Sequence, residues 1–155
     1  DYAAFVTCGA RDPGLPGLEK RLGAETFRRL FPVCLGDNGS EFSNPSAIEK
    51  SVDGKTQRTK LFYCAPQASW QKGHVENNHL NLRKIFPKGT SFDQFEQEDV
   101  NLALSHVNSM ARKSLNDIPA ITVFETIYGK GILDRIGISL VSPNEVNLTP
   151  ELLKK

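Results

Sequence analysis

The run Phe31-Pro32-Val33-Cys34-Leu35-Gly36-Asp37-Asn38-Gly39-Ser40-Glu41-Phe42 decides the fold. Val33 to Leu35 is a short apolar stretch after a proline and reads as a buried strand; Asp37-Asn38-Gly39 reads as the turn that ends it. A second run, Trp70-Gln71-Lys72-Gly73-His74-Val75-Glu76-Asn77-Asn78, leads from a glycine into a helix with Glu76 in its first turn. One carboxylate at a strand end and another on a later helix, with 38 residues between them, can converge on a divalent cation.

Working outward, the chain alternates short strands and helices. Tyr2 to Val6 reads as a strand, and the breaker-rich Arg11 to Gly17 as a loop. Leu18 to Leu22 and Ala24 to Leu30 read as helices split by Gly23. Asn44-Pro45 opens a short helix with an Asn cap and proline at its first position, and Ser51 to Lys55 signals a turn. Leu61 to Cys64 reads as a second core strand, parallel to the first. The Glu76 helix is expected to run to Phe86 and stop at Pro87, with Val75, His79, Leu82 and Phe86 facing inward and Glu76, Leu80 and Arg83 on an adjacent face. A further amphipathic helix is expected over Gln97 to Arg112, with Val100, Leu104, Val107 and Ala111 inward. Pro119 opens a segment through Phe124 and Tyr128, and Thr149-Pro150-Glu151 opens a last short helix. No repeat or low-complexity stretch interrupts the pattern.

Composition narrows the class. The chain has 155 residues, 39% of them hydrophobic and 24% charged, ordinary values for a globular protein with a core. No stretch approaches the roughly 18 apolar residues of a membrane span, and no signal peptide opens the chain. Cys8, Cys34 and Cys64 lack Cys-x-x-Cys spacing and read as reduced, buried thiols of a cytosolic protein. The net charge of +1 does not mark a nucleic-acid binder, but its distribution is uneven. Lys72, Arg83, Lys84 and Lys88 surround Glu76, and Asp93, Glu96, Glu98 and Asp99 follow. A positive patch beside two acids would draw phosphates; from charge alone, a solvated helix with mixed charges is the simpler reading. His74-x-Glu76-x-x-His79 lacks the i, i+4 histidine spacing of zinc proteases, so His79 reads as a core or partly buried histidine.

Asp37-Asn38-Gly39-Ser40-Glu41-Phe42, Trp70-Gln71-Lys72-Gly73-x-x-Glu76-Asn77 and Phe86-Pro87-Lys88-Gly89-Thr90, in that order and spacing, resemble the DDE transposase and integrase superfamily. Within it they are similar to transposases of bacterial insertion sequences of the group called family thirty, over about Leu18 to Phe124. The resemblance implies an α/β, incomplete RNase H-like (integrase core) fold over residues 1–117, with a C-terminal helical extension over 118–155. It also implies DNA transposition, by metal-dependent phosphodiester cleavage and strand transfer at insertion-sequence ends. Asp37 and Glu76 would each bind one of two Mg²⁺ (or Mn²⁺) ions. Trp70, Gln71, Lys72, Asn77, Arg83, Lys84 and Lys88 would meet DNA; Asn77 and Asn78 could instead orient Glu76, and Trp70 could simply pack. The family's first-strand Asp has no suitable counterpart, since Asp1 has no strand before it and Asp12 lies in a turn. The chain is therefore expected to be the C-terminal part of a transposase, inactive alone. The implied partners are insertion-sequence ends, target DNA, and a second copy or an intact transposase, with no membrane. The implied location is the bacterial cytoplasm, at the nucleoid. Two rivals remain: a non-catalytic remnant that binds DNA or docks on an intact transposase, and an unrelated metal-dependent nuclease.

Overall fold

The computed structural model describes residues 14–36, 43–65 and 73–153, with side chains of the last stretch described from 78 onward. The expected strand at Tyr2 to Val6 lies outside them. Pro13–Gly73 forms one compact unit, and His74–Lys155 belongs to the other.

In the first unit, α1 (Leu15–Leu22) and α2 (Ala24–Leu30) pack on each other and meet at Gly23, whose φ of 80° suits glycine. The loop expected through Gly17 is corrected here. Pro16 sits in the first turn of α1, where its missing N–H leaves no hydrogen bond unmade, so the breaker starts the helix. Strand β1 (Val33–Gly36) pairs in parallel with β2 (Lys60–Tyr63), Cys34 opposite Leu61 and Leu35 opposite Phe62. Between them, α3 (Pro45–Glu49) is capped by Asn44, whose Oδ1 accepts from the Ala47 N–H at 3.2 Å. Asp53 holds the next turn by accepting from the Lys55 and Thr56 N–H groups at 2.8 and 2.9 Å. The bond from the Thr56 N–H, then that from the Lys55 N–H, holds its carboxyl below the ordinary value.

The two strands are not the buried ones expected: Val33, Leu35, Phe62 and Tyr63 are exposed. A two-stranded sheet covers neither of its faces by itself, and paired residues such as Leu35 and Phe62 share a face. Cys34 and Cys64 are free thiols but half-buried, and the Thr59 hydroxyl lies 3.4 Å from the Cys34 sulfur. Cys8 lies outside the described residues.

The buried anchor of this unit is Arg58. Its Nε and Nη2 donate to the Ile48 carbonyl at 3.0 and 2.8 Å, and Nη2 also donates to the Ala47 carbonyl at 2.7 Å. Nη1 pairs with Glu19 Oε2 at 3.3 Å, and the guanidinium lies 5.8 Å from the Phe27 ring centroid. Glu19 completes its acceptor set with the Ser51 hydroxyl and the Val52 N–H. One ion pair thus joins α1, the end of α3 and the lead-in to β2.

The second unit is built on α4 (Gly73–Ile85) and α5 (Gln97–Ser109). Ile85, Phe86, Ala103 and Val107 form one cluster of its core, with Leu82, Phe95, Leu148, Leu152 and Leu153 packed around them, and Ile121, Phe124 and Leu133 are buried as well. Helix α5 starts where the Asp99 carboxylate accepts from the Glu96 N–H at 3.0 Å. It ends at Ser109, three residues earlier than expected. Ala111–Arg112 (β3) instead pair antiparallel with Ile118–Pro119 (β4), which leaves Ala111 exposed. The turn between them needs Asn116 and Asp117 at positive φ, a conformation these two residue types tolerate.

Helices α6 (Ala120–Tyr128) and α7 (Ile132–Arg135) follow and pack on each other, with α6 also against α5. Gly137 has φ 71°, and a Cβ there would lie 2.6 Å from Asn101 Nδ2. The chain then runs back along α5. Ser105 Oγ accepts from the Ser139 N–H, Ser109 Oγ from the Val141 N–H, and His106 Nδ1 from the Asn147 N–H, at 2.9–3.1 Å. The closing helix is a 3-10 turn, Pro150–Leu153. Among the described residues, no helix is long and apolar enough to cross a membrane.

Candidate nucleic-acid interface

Strand β1 delivers the chain at Gly36 directly to Asp37, which lies outside the described residues, as do Trp70, Gln71 and Lys72. Glu76 and Asn77 belong to the first turn of α4; their side chains lie outside the described residues. Glu76, Leu80 and Arg83 follow one another at helical spacing along one face of α4. Arg83 stands seven residues on from Glu76, a rise of about 10 Å. Leu80 and Arg83 are exposed, so this face of α4 meets solvent.

The opposite face is set by contacts the sequence reading missed. Asn78 is buried, and its Oδ1 accepts from Arg112 Nη2 at 2.9 Å. The same nitrogen reaches Asn108 Oδ1 at 3.5 Å, and Asn108 Nδ2 donates to the Leu104 carbonyl at 2.8 Å. Burial lowers the pKa of the Arg112 guanidinium from its ordinary value. Asn78 therefore ties α4 to α5 and β3. The inward row is Asn78, Leu82, Ile85 and Phe86. His79, expected to face inward, is exposed. The shift is one residue: an Asn with a buried partner occupies the inward position that pattern reading reserves for an apolar side chain.

The cations gather at the far end of α4. Arg83 and Lys84 lie in its last turn, and Lys88 in the turn after Pro87; all three are exposed. Lys84 Nζ donates to Asn81 Oδ1 at 3.1 Å. A helix C-terminus favours cations without any ligand, so this placement serves stability and phosphate attraction alike. Beside them is a cavity of about 340 Å³, floored by Leu82, Phe86, Phe92 and Val100. Among the described residues, no group of three His, Cys, Asp or Glu side chains is arranged to hold a metal ion.

Similarity to known proteins falls on transposases. The chain is 26% identical over 103 residues to the transposase of insertion sequence element IS4351 from Bacteroides fragilis, a match over 66% of this chain and 30% of that protein. It is 38% identical over 56 residues to transposase InsI of element IS30A from Escherichia coli, covering 36% of the chain and 15% of the relative. It is 35% identical over 80 residues to the transposase of element IS1086 from Cupriavidus metallidurans, covering 52% and 22%. The chain spans less than a third of the length of these relatives. No family model and no solved structure matches it. By these matches the chain is a partial, distant homologue of insertion-sequence transposases.

Proposed function

We propose that this chain is part of the catalytic region of an insertion-sequence transposase of the family-thirty group, with an incomplete RNase H-like core in residues 1–117. Residues 118–155 form a C-terminal helical extension in role, although α6 packs on α5. The observation that carries the reading is the parallel β1–β2 pair, whose first strand ends at Gly36, one residue before Asp37. A parallel pair joined by a crossover is the arrangement in which ligands collect beyond the carboxyl ends of strands.

Asp37 and Glu76 are assigned as acidic ligands. Their carboxylates are the hard oxygen donors that Mg²⁺ or Mn²⁺ takes, and bound ions would activate the attacking hydroxyl and stabilise the leaving oxygen of a phosphodiester. Arg83, Lys84 and Lys88, with Lys72, hold DNA phosphates, while Trp70, Gln71 and Asn77 meet the DNA nearby. The proposed partners are insertion-sequence ends, target DNA and a second transposase chain, in the bacterial cytoplasm. The exposed Leu80–Arg83 face of α4 supports an open site able to admit a duplex.

The test is strand transfer on DNA carrying the element's ends. With Asp37 and Glu76 as the acids proposed in it, this chain is expected to bind DNA without joining it. A longer protein that adds an upstream strand-borne Asp should be active, and Asp37→Asn or Glu76→Gln should each abolish that activity with DNA binding retained. Transfer that survives Glu76→Gln would remove Glu76 from the site.

A further inference from the structure

We propose that the cavity at the C-terminal end of α4 takes one unstacked nucleotide of single-stranded DNA, its base on Phe92 and its phosphate between Arg83 and Lys88. The inference rests on the DNA-binding reading above and adds a substrate state to it, an unpaired strand.

The cavity, about 340 Å³, is at the small end of the roughly 300–1,000 Å³ of ligand pockets and has room for one ring system and its sugar. Its floor is apolar and aromatic. Phe92 is 43% exposed, yet its ring is held 5.0 Å from Phe86 and 6.2 Å from Phe95. One side of the ring is thus fixed by an aromatic cluster while the rest meets solvent, the form of a preset stacking platform.

The rim is cationic. Arg83 and Lys88 border the cavity, and among the described residues no Asp or Glu lines it. Asp93 and Asp99 each adjoin a lining residue in the chain; Asp93 accepts from the Ser91 hydroxyl at 2.8 Å and Asp99 from the Glu96 N–H at 3.0 Å. The turn that carries Lys88 is itself fixed. The Thr90 N–H and hydroxyl both donate to the Pro87 carbonyl, at 3.1 and 2.7 Å, and Gly89 takes the positive φ of 89° that the turn requires.

An apolar floor with an exposed aromatic ring and two cations at its edge suits a flat ring joined to an anion. Inorganic phosphate would leave the floor unused. A duplex hides its base faces in its own stack and offers the rim only phosphates. A single strand supplies both parts, as stacking and backbone charge do in other single-strand grooves. An acidic aromatic peptide shares some of this chemistry but brings amide groups that need partners; beyond the two cations and the Thr90 hydroxyl, already committed to Pro87, the lining offers it only the His79 side chain. A base can stack by its face and leave its polar edges in water.

The experiment uses the full chain and an octathymidylate carrying one 5-iodouracil. Photocrosslinks should map to residues 86–92. They should be competed by unlabelled octathymidylate far better than by dTMP or by duplex of the same length. Phe92→Leu should weaken single-strand binding about tenfold, from the loss of one stacked base, and leave duplex affinity within about twofold. Phe92→Tyr should bind as the parent does. If Phe92→Leu does not fold, the crosslink map and competition of the unaltered chain decide alone. Crosslinks elsewhere, equal losses for single strand and duplex, or tighter binding of a phosphotyrosine peptide would each overturn the assignment. Competition by dTMP equal to that of the octamer would overturn the strand as the source in favour of a free nucleotide. Duplex binding without single-strand preference defeats this inference alone, whereas no DNA binding of any kind defeats the proposed function as well.

Discussion

Replacing Arg58 by Met should unfold the unit that carries β1. Arg58 is 1% exposed and Glu19 3%, so neither charge has water to fall back on. Removing one partner of a buried pair costs about 3–5 kcal/mol, because the other charge is left uncompensated. Glu19 would keep the Ser51 hydroxyl and the Val52 N–H, which places the loss toward the lower end. The Ala47 and Ile48 carbonyls would lose three donated bonds, but Ala47 is exposed and Ile48 half-buried, so water replaces most of that loss. A unit of roughly sixty residues has about 3–9 kcal/mol in total at 0.05–0.15 kcal/mol per residue. The expected loss, about 3–4 kcal/mol, is therefore a large share of the whole. Hydrogen exchange read by mass spectrometry should show β1 and β2 amides losing their protection in Arg58→Met while α5 amides keep theirs. Arg58→Lys should also lose stability, since an ammonium cannot span Ala47, Ile48 and Glu19 at once. The double change Glu19→Leu with Arg58→Met should recover much of it by removing the stranded charge. Protection of β1 and β2 within about 1 kcal/mol of the parent in Arg58→Met would refute the reasoning.

Two further outcomes are expected. Burial holds the His106 imidazole below its ordinary value of 6.5, with Glu145 pulling the other way. The fold therefore favours the neutral ring that accepts from Asn147, and the unfolded chain takes up the proton first. That contribution to stability is present above about pH 6.5 and is lost as pH falls through the folded value. Melting temperature measured from pH 7.5 to about 5 should fall, and His106→Gln should flatten that fall; an unchanged slope would place its origin elsewhere. Separately, replacing Lys72, Arg83, Lys84 and Lys88 together by Ala should lower the slope of log affinity for duplex DNA against log salt by up to about 3–4. An unchanged slope would take these four out of the interface.

The two strand segments, the Asn44 cap, the turn at Asp53 and the stop at Pro87 are local features, each legible from a few adjacent residues; that the strands pair in parallel follows from a connection long enough for a crossover. What escaped the reading depends on partners distant in the chain. Glu19 and Arg58 stand 39 residues apart in polar surroundings, where single charges read as surface. Arg112 reaches back 34 residues to Asn78, and that bond turns α4 so that His79 faces out. The early end of α5 follows from β3 pairing with β4, a contact that helical periodicity does not register. Pro16 misled in the other direction, because a breaker inside a first turn is a starter. At the candidate site, motif order marked Asp37 and Glu76, and the structure adds the strand end before one and the helix beneath the other. The cavity beside Phe92 carried no sequence signal, since it needs α4, the Pro87–Phe92 turn and Val100 of α5 together.

The central proposal is that Asp37 and Glu76 are both metal ligands. Titration of the isotope-labelled chain with Mn²⁺ tests it most directly, because paramagnetic broadening falls off steeply with distance from the ion. Broadening should centre on the amides of residues 36–40 and 74–78 together, and Asp37→Asn or Glu76→Gln should each weaken it at both segments. Broadening confined to one segment, or unaltered by either substitution, would contradict the account.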